Sequence, residues 1–399
     1  MRLALVTHQF FPAYYTGVER IALNLAEQLR RMGHRALIVT AAEHSSGSTE
    51  PYAVGGVAVR PVEALFTDLA RPWLQPAGIR RDLARLFDDE RIELVHVLQP
   101  MRLPQAFDAA ESRRIPTIAH VADFGYLCAR INLIRSDGTL CTTAAGGDAC
   151  AGVCGIPSAP QRLRWGTSTL ARAGAVVSPC RFTIGVFAAE GFDAGGWHHI
   201  PWGVDYALYP DRFPPPERGG LAIGFIGTLL EAKGPRVLVD AVRLLPGRPI
   251  RLELYGGSFH EQSYADDLRR RADGDERIVF AGSYDHSELP GILARLDAVA
   301  IPSLWHENLP TTGLNAIAAG VPLVVSNVGG LTELLDDYDA GFAFRVGDAS
   351  ALAELLERLL DDPELLRRVR ERMRRPPSIE EEAWRLESVY LDVLAARGN

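Results

Sequence analysis

The amino-acid sequence predicts an α/β protein of two doubly wound domains, and three observations lead to this prediction. The chain has 399 residues, which suits two hydrophobic cores of roughly 200 residues each better than a single core. In both halves, short apolar runs alternate with helical patterns, as expected for parallel sheets with crossover helices. Between the halves, residues 206–220 are rich in proline and glycine and interrupt the pattern, which is typical of a linker.

The first predicted domain, residues 1–205, opens with a strand, a helix and a second strand. Residues 3–7 and 36–40 are apolar enough for buried strands, and residues 21–29 carry apolar side chains at helical spacing. Gly33 is suited to end that helix. The same pattern continues with strands at residues 94–98, 117–121 and 175–178 and a helix at 79–87.

The second predicted domain, residues 206–377, repeats this order. Its predicted strands are residues 222–226, 251–255, 278–280, 298–301 and 323–326, and its predicted helices include 237–245, 314–319 and 351–360. After Pro376 and Pro377, the last segment (378–399) contains a predicted helix at 379–396. This helix carries Trp384, Val389, Tyr390 and Leu394, and we expect it to pack back against the first domain.

Composition and charge limit the function classes. Hydrophobic residues make up 47% of the chain and charged residues 23%, as in folded soluble proteins. The net charge of −8 gives no electrostatic reason to expect nucleic-acid binding. The first residues begin a strand rather than a signal peptide, and no run reaches the ~18 apolar residues that span a bilayer. We therefore expect a cytoplasmic protein.

Clustered arginines suggest peripheral contact with the inner face of the membrane. The residues concerned are Arg80, Arg81, Arg85, Arg162, Arg164 and Trp165. A solvated basic face is the alternative interpretation, because long cationic side chains on helix surfaces ordinarily contact water.

The loop after the strand at residues 298–301 is the strongest candidate binding site. In parallel α/β domains, ligands bind at the carboxyl ends of strands, against helix N-termini that favour anions. Glu307 lies in this loop, and Asn315 lies eight residues later in the following helix. A carboxylate beside phosphate-binding N–H groups can accept hydrogen bonds from sugar hydroxyls. The alternatives are an acid that only satisfies the helix dipole and, for Asn315, an inert helix residue.

The loop 227–234 is the second candidate, because it joins a strand to a helix in the position of a phosphate-binding loop. Gly227 permits close backbone approach, and Lys233 offers a compact point charge for a diphosphate. Lys233 is also the single lysine among 42 lysines and arginines, so arginine serves at every other basic position. The alternative is an ordinary solvated lysine.

These segments together resemble the retaining glycosyltransferases of family 4, which have the GT-B architecture of two Rossmann-like domains facing a central cleft. The resemblance covers nearly the whole chain. It rests on residues 302–334 around Glu307, on Gly17-Val-Glu-Arg, Gly33-His34, the segment 200–205 and Lys233-Gly234.

The resemblance implies a nucleotide-sugar donor, with a UDP- or GDP-sugar expected, and an acceptor hydroxyl on a glycan, glycolipid or small molecule. It places Glu307 on the transferred sugar and Lys233 on the diphosphate. Donor contacts are expected from Gly17, Gly227, Thr228, Lys233, Ser283, Glu307, Leu309, Pro310, Thr311, Thr312 and Asn315.

Three positions depart from the family's pattern. Asn315 stands where the family has a second acid that holds ribose, and Thr228 stands where it often has an arginine. Ala122 replaces the histidine of a His-Asp pair, so that only Asp123 remains. An amide can still bind hydroxyls, but without charge assistance. We expect Asp123 to orient the transferred sugar or the acceptor hydroxyl, or alternatively to cap a strand end.

We expect catalysis to depend on Glu307, Lys233 and Asp123, without a catalytic metal. Lys233, the amides of Thr311 and Thr312 and the helix dipole would stabilise charge on the leaving diphosphate. The resemblance implies front-face substitution, in which the departing phosphate oxygen takes the acceptor proton. The rival interpretations are an epimerase or phosphorylase of the same architecture, and a non-catalytic partner that binds a nucleotide sugar.

A cysteine-rich insertion at about residues 124–160 contains Cys128, Cys141, Cys150 and Cys154. Cys150 and Cys154 have zinc-ligand spacing, whereas the other gaps match no standard finger. In a reducing cytoplasm, one structural zinc on four thiolates is favoured over two disulfides, and free thiols are the third alternative. Cys180 lies outside the cluster and is expected to be buried.

Overall fold

The computed structural model describes residues 1–15, 17–63, 65, 71–74, 77–209, 211–216, 219–258 and 262–396. These residues form two compact units. The amino-terminal unit contains the chain up to Gly203 and again from Pro377 onward, and the carboxy-terminal unit contains Val204–Pro376. Each unit has its own sheet and its own hydrophobic core.

The amino-terminal unit is built on one sheet. Its strands are β1 (Arg2–Val6), β2 (Arg35–Ala41), β3 (Tyr52–Val54), β4 (Val57–Val62), β5 (Leu94–Leu98), β6 (Thr117–His120), β7 (Ala175–Ser178) and β8 (His198–His199). They are ordered β3-β4-β2-β1-β5-β6-β7-β8. All neighbouring strands are parallel except β3 and β4, which form an antiparallel hairpin at one edge.

The carboxy-terminal unit contains an all-parallel sheet. Its strands are β9 (Leu221–Ile226), β10 (Ile250–Tyr255), β11 (Ile278–Gly282), β12 (Ala298–Ile301), β13 (Leu323–Ser326) and β14 (Gly341–Phe344). They are ordered β11-β10-β9-β12-β13-β14. The chain runs outward from β9 to one edge and then returns to β12, so the direction of winding changes between β9 and β12. Ligands of open parallel sheets bind at such a switch point.

Helices connect the strands in both units. They are α1 (Gly17–Arg31), α2 (Ala77–Asp89), α3 (Pro104–Ser112), α4 (Asp148–Cys154), α5 (Ala159–Leu170), α6 (Arg181–Ala189), α7 (Pro235–Arg243), α8 (Gln262–Ala272), α9 (Leu289–Leu293), α10 (Thr311–Ala318), α11 (Gly330–Tyr338), α12 (Ala349–Asp361), α13 (Glu364–Arg372) and α14 (Ile379–Ala395). Short 3₁₀ turns lie at Ala42–His44, Pro100–Arg102, Ala145–Gly147, Glu231–Lys233 and His286–Glu288.

The last helix, α14, completes the core of the amino-terminal unit. Ser378 and Glu381 form a capping box at its start, which satisfies amides that the first turn leaves unpaired. Its buried face shares a core with residues of β1 and α1. That face consists of Ala383, Leu386, Val389 and Tyr390. Trp384, which the sequence placed among the packing residues, is 59% exposed.

The predicted fold class is confirmed, because each unit is a parallel sheet with helical crossovers. The antiparallel strand β3 is an addition that the sequence did not predict. Among the described residues, no helix is both long and apolar enough to cross a membrane.

Candidate functional site

Three loops of the carboxy-terminal unit meet at the carboxyl edge of its sheet. They follow β9, β12 and β13, which are neighbours in the sheet. The amide of Leu304 donates to the carbonyl of Ala232 at 2.8 Å, joining the loops after β12 and β9. The amide of Gly330 donates to the carbonyl of Glu307 at 2.7 Å, joining the loops after β13 and β12. Residues distant in sequence therefore surround one point at the switch of the sheet.

Two glycines allow the loops to approach this closely. Gly234 has a φ of +70°, and a Cβ there would lie 2.0 Å from the carbonyl oxygen of Pro302. Gly329 has a φ of +57°, and a Cβ there would lie 2.9 Å from the carbonyl oxygen of Glu307. Any other residue would be strained in its backbone and would also push the loops apart.

Glu307 is the centre of the site. Its side chain is buried, with 8% of the residue exposed. One carboxylate oxygen, Oε1, accepts hydrogen bonds from Lys233 Nζ at 2.6 Å, Ser303 Oγ at 2.7 Å and Trp305 Nε1 at 2.7 Å. Burial alone would raise the pKa of Glu307, but the Lys233 charge and these hydrogen bonds outweigh burial and lower it. Glu307 is therefore an ionised acceptor at neutral pH.

Lys233 pairs directly with Glu307, which the sequence did not predict. It ends the 3₁₀ turn Glu231–Lys233, and its ammonium also lies 5.0 Å from the centre of the Trp305 ring. The side chain is still 28% exposed. Because an ammonium has three donors, Lys233 can keep the bond to Glu307 and donate to an anion as well.

The start of α10 supplies further donors beside this pair. Pro310 is its N-cap, and the first helical residues are Thr311 and Thr312. The first amides of a helix have no carbonyl partner within the helix, so they favour an anion. The hydroxyl of Thr312 donates to the carbonyl of Ile226 at 3.2 Å, which fixes the helix start against the end of β9. Leu309, which precedes Pro310, is buried.

Asn315 uses its side-chain nitrogen within its own helix. Nδ2 donates to the carbonyl of Thr311 at 2.8 Å, and the residue is half-buried. In this arrangement the side-chain nitrogen is directed at the helix backbone. A ribose hydroxyl could therefore bind Asn315 through its oxygen, or through the nitrogen after this bond breaks.

The other predicted donor residues of this unit lie at the same carboxyl edge. A Cβ on Gly227 would meet only ring carbons of Phe225, at 3.7 and 3.9 Å, so packing within the protein does not require glycine there. Thr228 is half-buried in the same loop. Ser283 is exposed and directly follows β11, the edge strand of the sheet.

Gly17 and Asp123 belong to the amino-terminal unit. Gly17 is the first residue of α1. Asp123 follows β6, and its Oδ1 accepts a hydrogen bond from the amide of Gly125 at 2.8 Å, as in a cap or turn. Its Oδ2 is buried without a hydrogen-bond partner. Burial raises the pKa of Asp123, although the Gly125 bond and two nearby arginine charges act in the opposite direction.

His120 belongs to a buried network rather than to an exposed site. Trp202 Nε1 donates to His120 Nε2 at 3.0 Å, and since an indole can only donate, that nitrogen carries no proton. The neutral ring then donates from Nδ1 to His96 Nε2 at 3.2 Å, and His96 Nδ1 donates to the Tyr390 hydroxyl at 2.7 Å. Burial lowers the pKa of His120 to about 4. This chain joins β5 and β6 to α14.

The proposed membrane face is partly wrong. Arg162 is 1% exposed, and its Nη1 donates to the carbonyl of Gly125 at 2.6 Å, so it is a core residue. Trp165 is half-buried against Tyr126, with ring centres 5.0 Å apart. The four other arginines of that set are exposed, namely Arg80, Arg81, Arg85 and Arg164.

The cysteines of the insertion are free thiols and half-buried, and Cys180 is fully buried. Within the described residues, no group of three or more His, Cys, Asp or Glu side chains is arranged to hold a metal ion.

Comparison with known proteins places both units in described families. Residues 16–203 match the glycosyl transferase 4-like domain, and residues 212–375 match the glycosyl transferases group 1. The 2-deoxystreptamine glucosyltransferase of Streptomyces kanamyceticus is 30% identical over 216 residues, which are 50% of this chain and 54% of that enzyme. The matched part thus spans about half the length of this curated relative.

Solved structures share the fold over the whole chain. Anabaena Alr3699/HepE, solved in complex with UDP and glucose, has a TM-score of 0.70 at 18% identity over 100% of both chains. Sucrose-phosphate synthase from Thermosynechococcus elongatus has a TM-score of 0.74 at 19% identity over 99% of both chains. These structures show the shared fold, and the two family matches, which together cover most of the chain, show that the chain belongs to the glycosyltransferases that combine a 4-like amino-terminal domain with a group 1 carboxy-terminal domain.

Proposed function

We propose that this protein transfers a sugar from a nucleoside-diphosphate sugar to an acceptor hydroxyl, with retention at the anomeric carbon. The observation that carries the proposal is the Lys233–Glu307 pair, which combines a partly exposed ammonium with an ionised carboxylate beside the start of α10. This arrangement suits a diphosphate and a hydroxyl-bearing sugar at one place. The complex of Alr3699/HepE with UDP and glucose supports a UDP-sugar as the donor to test first.

In this proposal, the protein acts mainly through fixed charges. Lys233 and the amides of Thr311 and Thr312 stabilise negative charge as it develops on the leaving diphosphate. Glu307 accepts hydrogen bonds from hydroxyls of the transferred sugar, because its lowered pKa keeps it ionised. The departing phosphate oxygen takes the acceptor proton, so the scheme uses no catalytic metal. Asp123, with its unpartnered Oδ2, is assigned to a hydroxyl of the acceptor or the transferred sugar.

The acceptor in this proposal is a glycan, a glycolipid or a small molecule, modified in the cytoplasm. Peripheral contact with anionic lipid would depend on the exposed arginines Arg80, Arg81 and Arg85 of α2. Co-sedimentation with anionic vesicles at low and physiological salt, with these three arginines changed to glutamine as the control, measures that contribution.

The test is a panel of UDP-, GDP- and ADP-sugars, measured by thermal shift and by slow hydrolysis or transfer to added acceptors. We expect at least one donor to raise the melting temperature and to release its nucleoside diphosphate. Nuclear magnetic resonance of the product then gives the anomeric configuration. If none of the donors stabilises the protein, the donor-site assignment is wrong.

The same panel distinguishes the rival functions. A non-catalytic partner would be stabilised by a nucleotide sugar without turning it over on any acceptor. An epimerase would return an isomerised nucleotide sugar, and a phosphorylase would require inorganic phosphate.

A further inference from the structure

The segment that follows Asp123 brings four thiols into one neighbourhood. The Cys150 thiol lies within electrostatic range of the Cys128, Cys141 and Cys154 thiols, and Cys128 lies within range of Cys141. Three of them, Cys128, Cys141 and Cys150, pack against the same hydrophobic core. The clustering therefore exists in three dimensions and not only along the sequence.

The backbone holds Cys141 next to the turn that contains Cys128. A short hairpin pairs Ile134 with Leu140, and the amide of Cys141 donates to the carbonyl of Leu133 at 2.7 Å. Cys150 and Cys154 are one helical turn apart in α4, so they lie on the same face of that helix. Cys128 and Cys141 are thus brought together at the hairpin, and Cys150 and Cys154 by helix α4.

A tight turn follows Cys128. The amide of Ile131 donates to the carbonyl of Cys128 at 3.0 Å. Ile131 and Leu133 have φ values of 70° and 54°, a conformation that is unfavourable for branched and bulky residues. This turn leads directly into the hairpin that carries Cys141.

Ordinary packing does little to hold the rest of this segment. The helix α4 has no buried residue, and the turn before it contains left-handed Gly146 and Gly147. One hydrogen bond attaches the segment to the rest of the unit: the amide of Ala144 donates to the carboxylate of Glu190 at 2.7 Å. So weak a local core would be stabilised by a bound metal.

We propose that Cys128, Cys141, Cys150 and Cys154 bind one Zn²⁺ in a structural four-thiolate site. Zinc replaces the four S–H bonds with four Zn–S bonds and releases the protons to solvent. Because no such group is preassembled in the described part of the chain, the thiols must move together when the metal binds. The site orders the segment next to Asp123 and takes no part in chemistry.

The test uses the full chain, purified under reducing conditions. Elemental analysis should find one zinc per chain, and Co²⁺ added to metal-free protein should give the absorption spectrum of a tetrahedral four-thiolate site. The Cys154→Ser and Cys128→Ser variants should each weaken Co²⁺ binding at least 100-fold. Cys180→Ser is the matched control, because Cys180 lies outside the cluster, and it should bind Co²⁺ like the wild type.

Three results would overturn the proposal. One is wild-type protein that neither contains zinc nor binds Co²⁺ through sulfur. Another is disulfide bonds among these cysteines, detected by mass spectrometry after alkylation under the reducing conditions of purification. The third is unchanged Co²⁺ affinity and spectrum in both variants. If a variant does not fold, the Co²⁺ titration of the wild-type protein still tests the proposal.

Discussion

At the scale of single residues, the contacts of Lys233 suggest a reason for lysine at this one position in a chain that otherwise uses arginine. A compact ammonium fits between Glu307 Oε1, at 2.6 Å, and the face of the Trp305 ring. A guanidinium is planar and larger, and it presents its donors in a fixed fork. Such a group could not occupy the same position without moving Trp305 or displacing the proposed diphosphate.

We therefore predict that Lys233→Arg lowers kcat/KM for the donor roughly tenfold or more, which corresponds to ~1.4 kcal/mol of transition-state stabilisation. The matched control is the reverse exchange, Arg236→Lys, in the adjacent helix, where the side chain is 48% exposed. Steady-state kinetics with the best donor measure both variants. Wild-type kinetics for Lys233→Arg would show that the choice of lysine has no catalytic reason.

Glu382 is a buried acid whose ionisation opposes folding. It is 3% exposed, its Oε2 accepts from the amide of Gly203 at 2.7 Å, and its Oε1 has no partner. Burial raises its pKa to about 8, despite the Gly203 bond. The folded state thus binds a proton that the unfolded state releases above about pH 4.5. Stability from this group is present at low pH and is lost as the pH rises toward 8.

We predict that the free energy of unfolding of the wild type, relative to that of the Glu382→Gln variant, falls by about 1 kcal/mol per pH unit between about pH 6.5 and about pH 7.5. The amide of the variant keeps the bond to Gly203 without ionising. Urea denaturation at several pH values measures both proteins. The difference between the two proteins isolates Glu382, because the buried histidines His8, His96 and His120 have lowered pKa values and add the same opposite dependence to both. Equal slopes in both proteins would contradict the prediction.

At the scale of elements, the site depends on how closely the loops after β9 and β12 approach. Gly234→Ala would place a methyl group 2.0 Å from the carbonyl oxygen of Pro302. We predict that Gly234→Ala lowers the free energy of unfolding, and that the loss exceeds the cost of placing an alanine in the left-handed conformation by ~1–2 kcal/mol. We also predict that the substitution weakens donor binding. Chemical denaturation and donor titration measure the two effects.

Gly247→Ala is the control for this change. Gly247 has nearly the same φ, +71°, in the same unit, but a Cβ there would meet nothing within 4 Å. Gly247→Ala therefore has the free-energy cost of a left-handed alanine but does not push two loops apart. Equal effects of the two substitutions on stability and donor binding would show that the loop contact is unimportant.

The sequence predicted the buried central elements well. The runs at residues 94–98, 175–178, 298–301 and 323–326 coincide with β5, β7, β12 and β13. Central parallel strands are buried on both faces and therefore appear as continuous apolar runs. Strand β4, which is second from the edge of its sheet, was missed, because Arg60 and Pro61 interrupt its apolar pattern. The hydrogen bond between Lys233 and Glu307 could not be predicted from the sequence either. Contact between two loops depends on the directions of their side chains, and the spacing of residues along the sequence does not determine those directions.

At the scale of the whole molecule, the amino-terminal unit is made from two separated parts of the chain. The chain leaves this unit after Gly203 and returns at Pro377. Gly203 lies close to Ser378. A Cβ on Gly203 would lie 2.4 Å from the carbonyl oxygen of Ser378, so the close contact requires glycine. The unit is therefore complete only when α14 is present.

This organisation predicts the effect of ending the chain at Pro377. Loss of α14 would remove four buried residues, Ala383, Leu386, Val389 and Tyr390, from the core shared with β1 and α1. It would also leave His96 without the Tyr390 hydroxyl. We predict that amides of β1 and β5 lose most of their protection from hydrogen exchange, while amides of β9 and β12 keep theirs. A chain ending at Ala396 is the matched control and should exchange like the full-length protein. Equal protection of β1 in both truncated chains would show that the amino-terminal unit folds without its last helix.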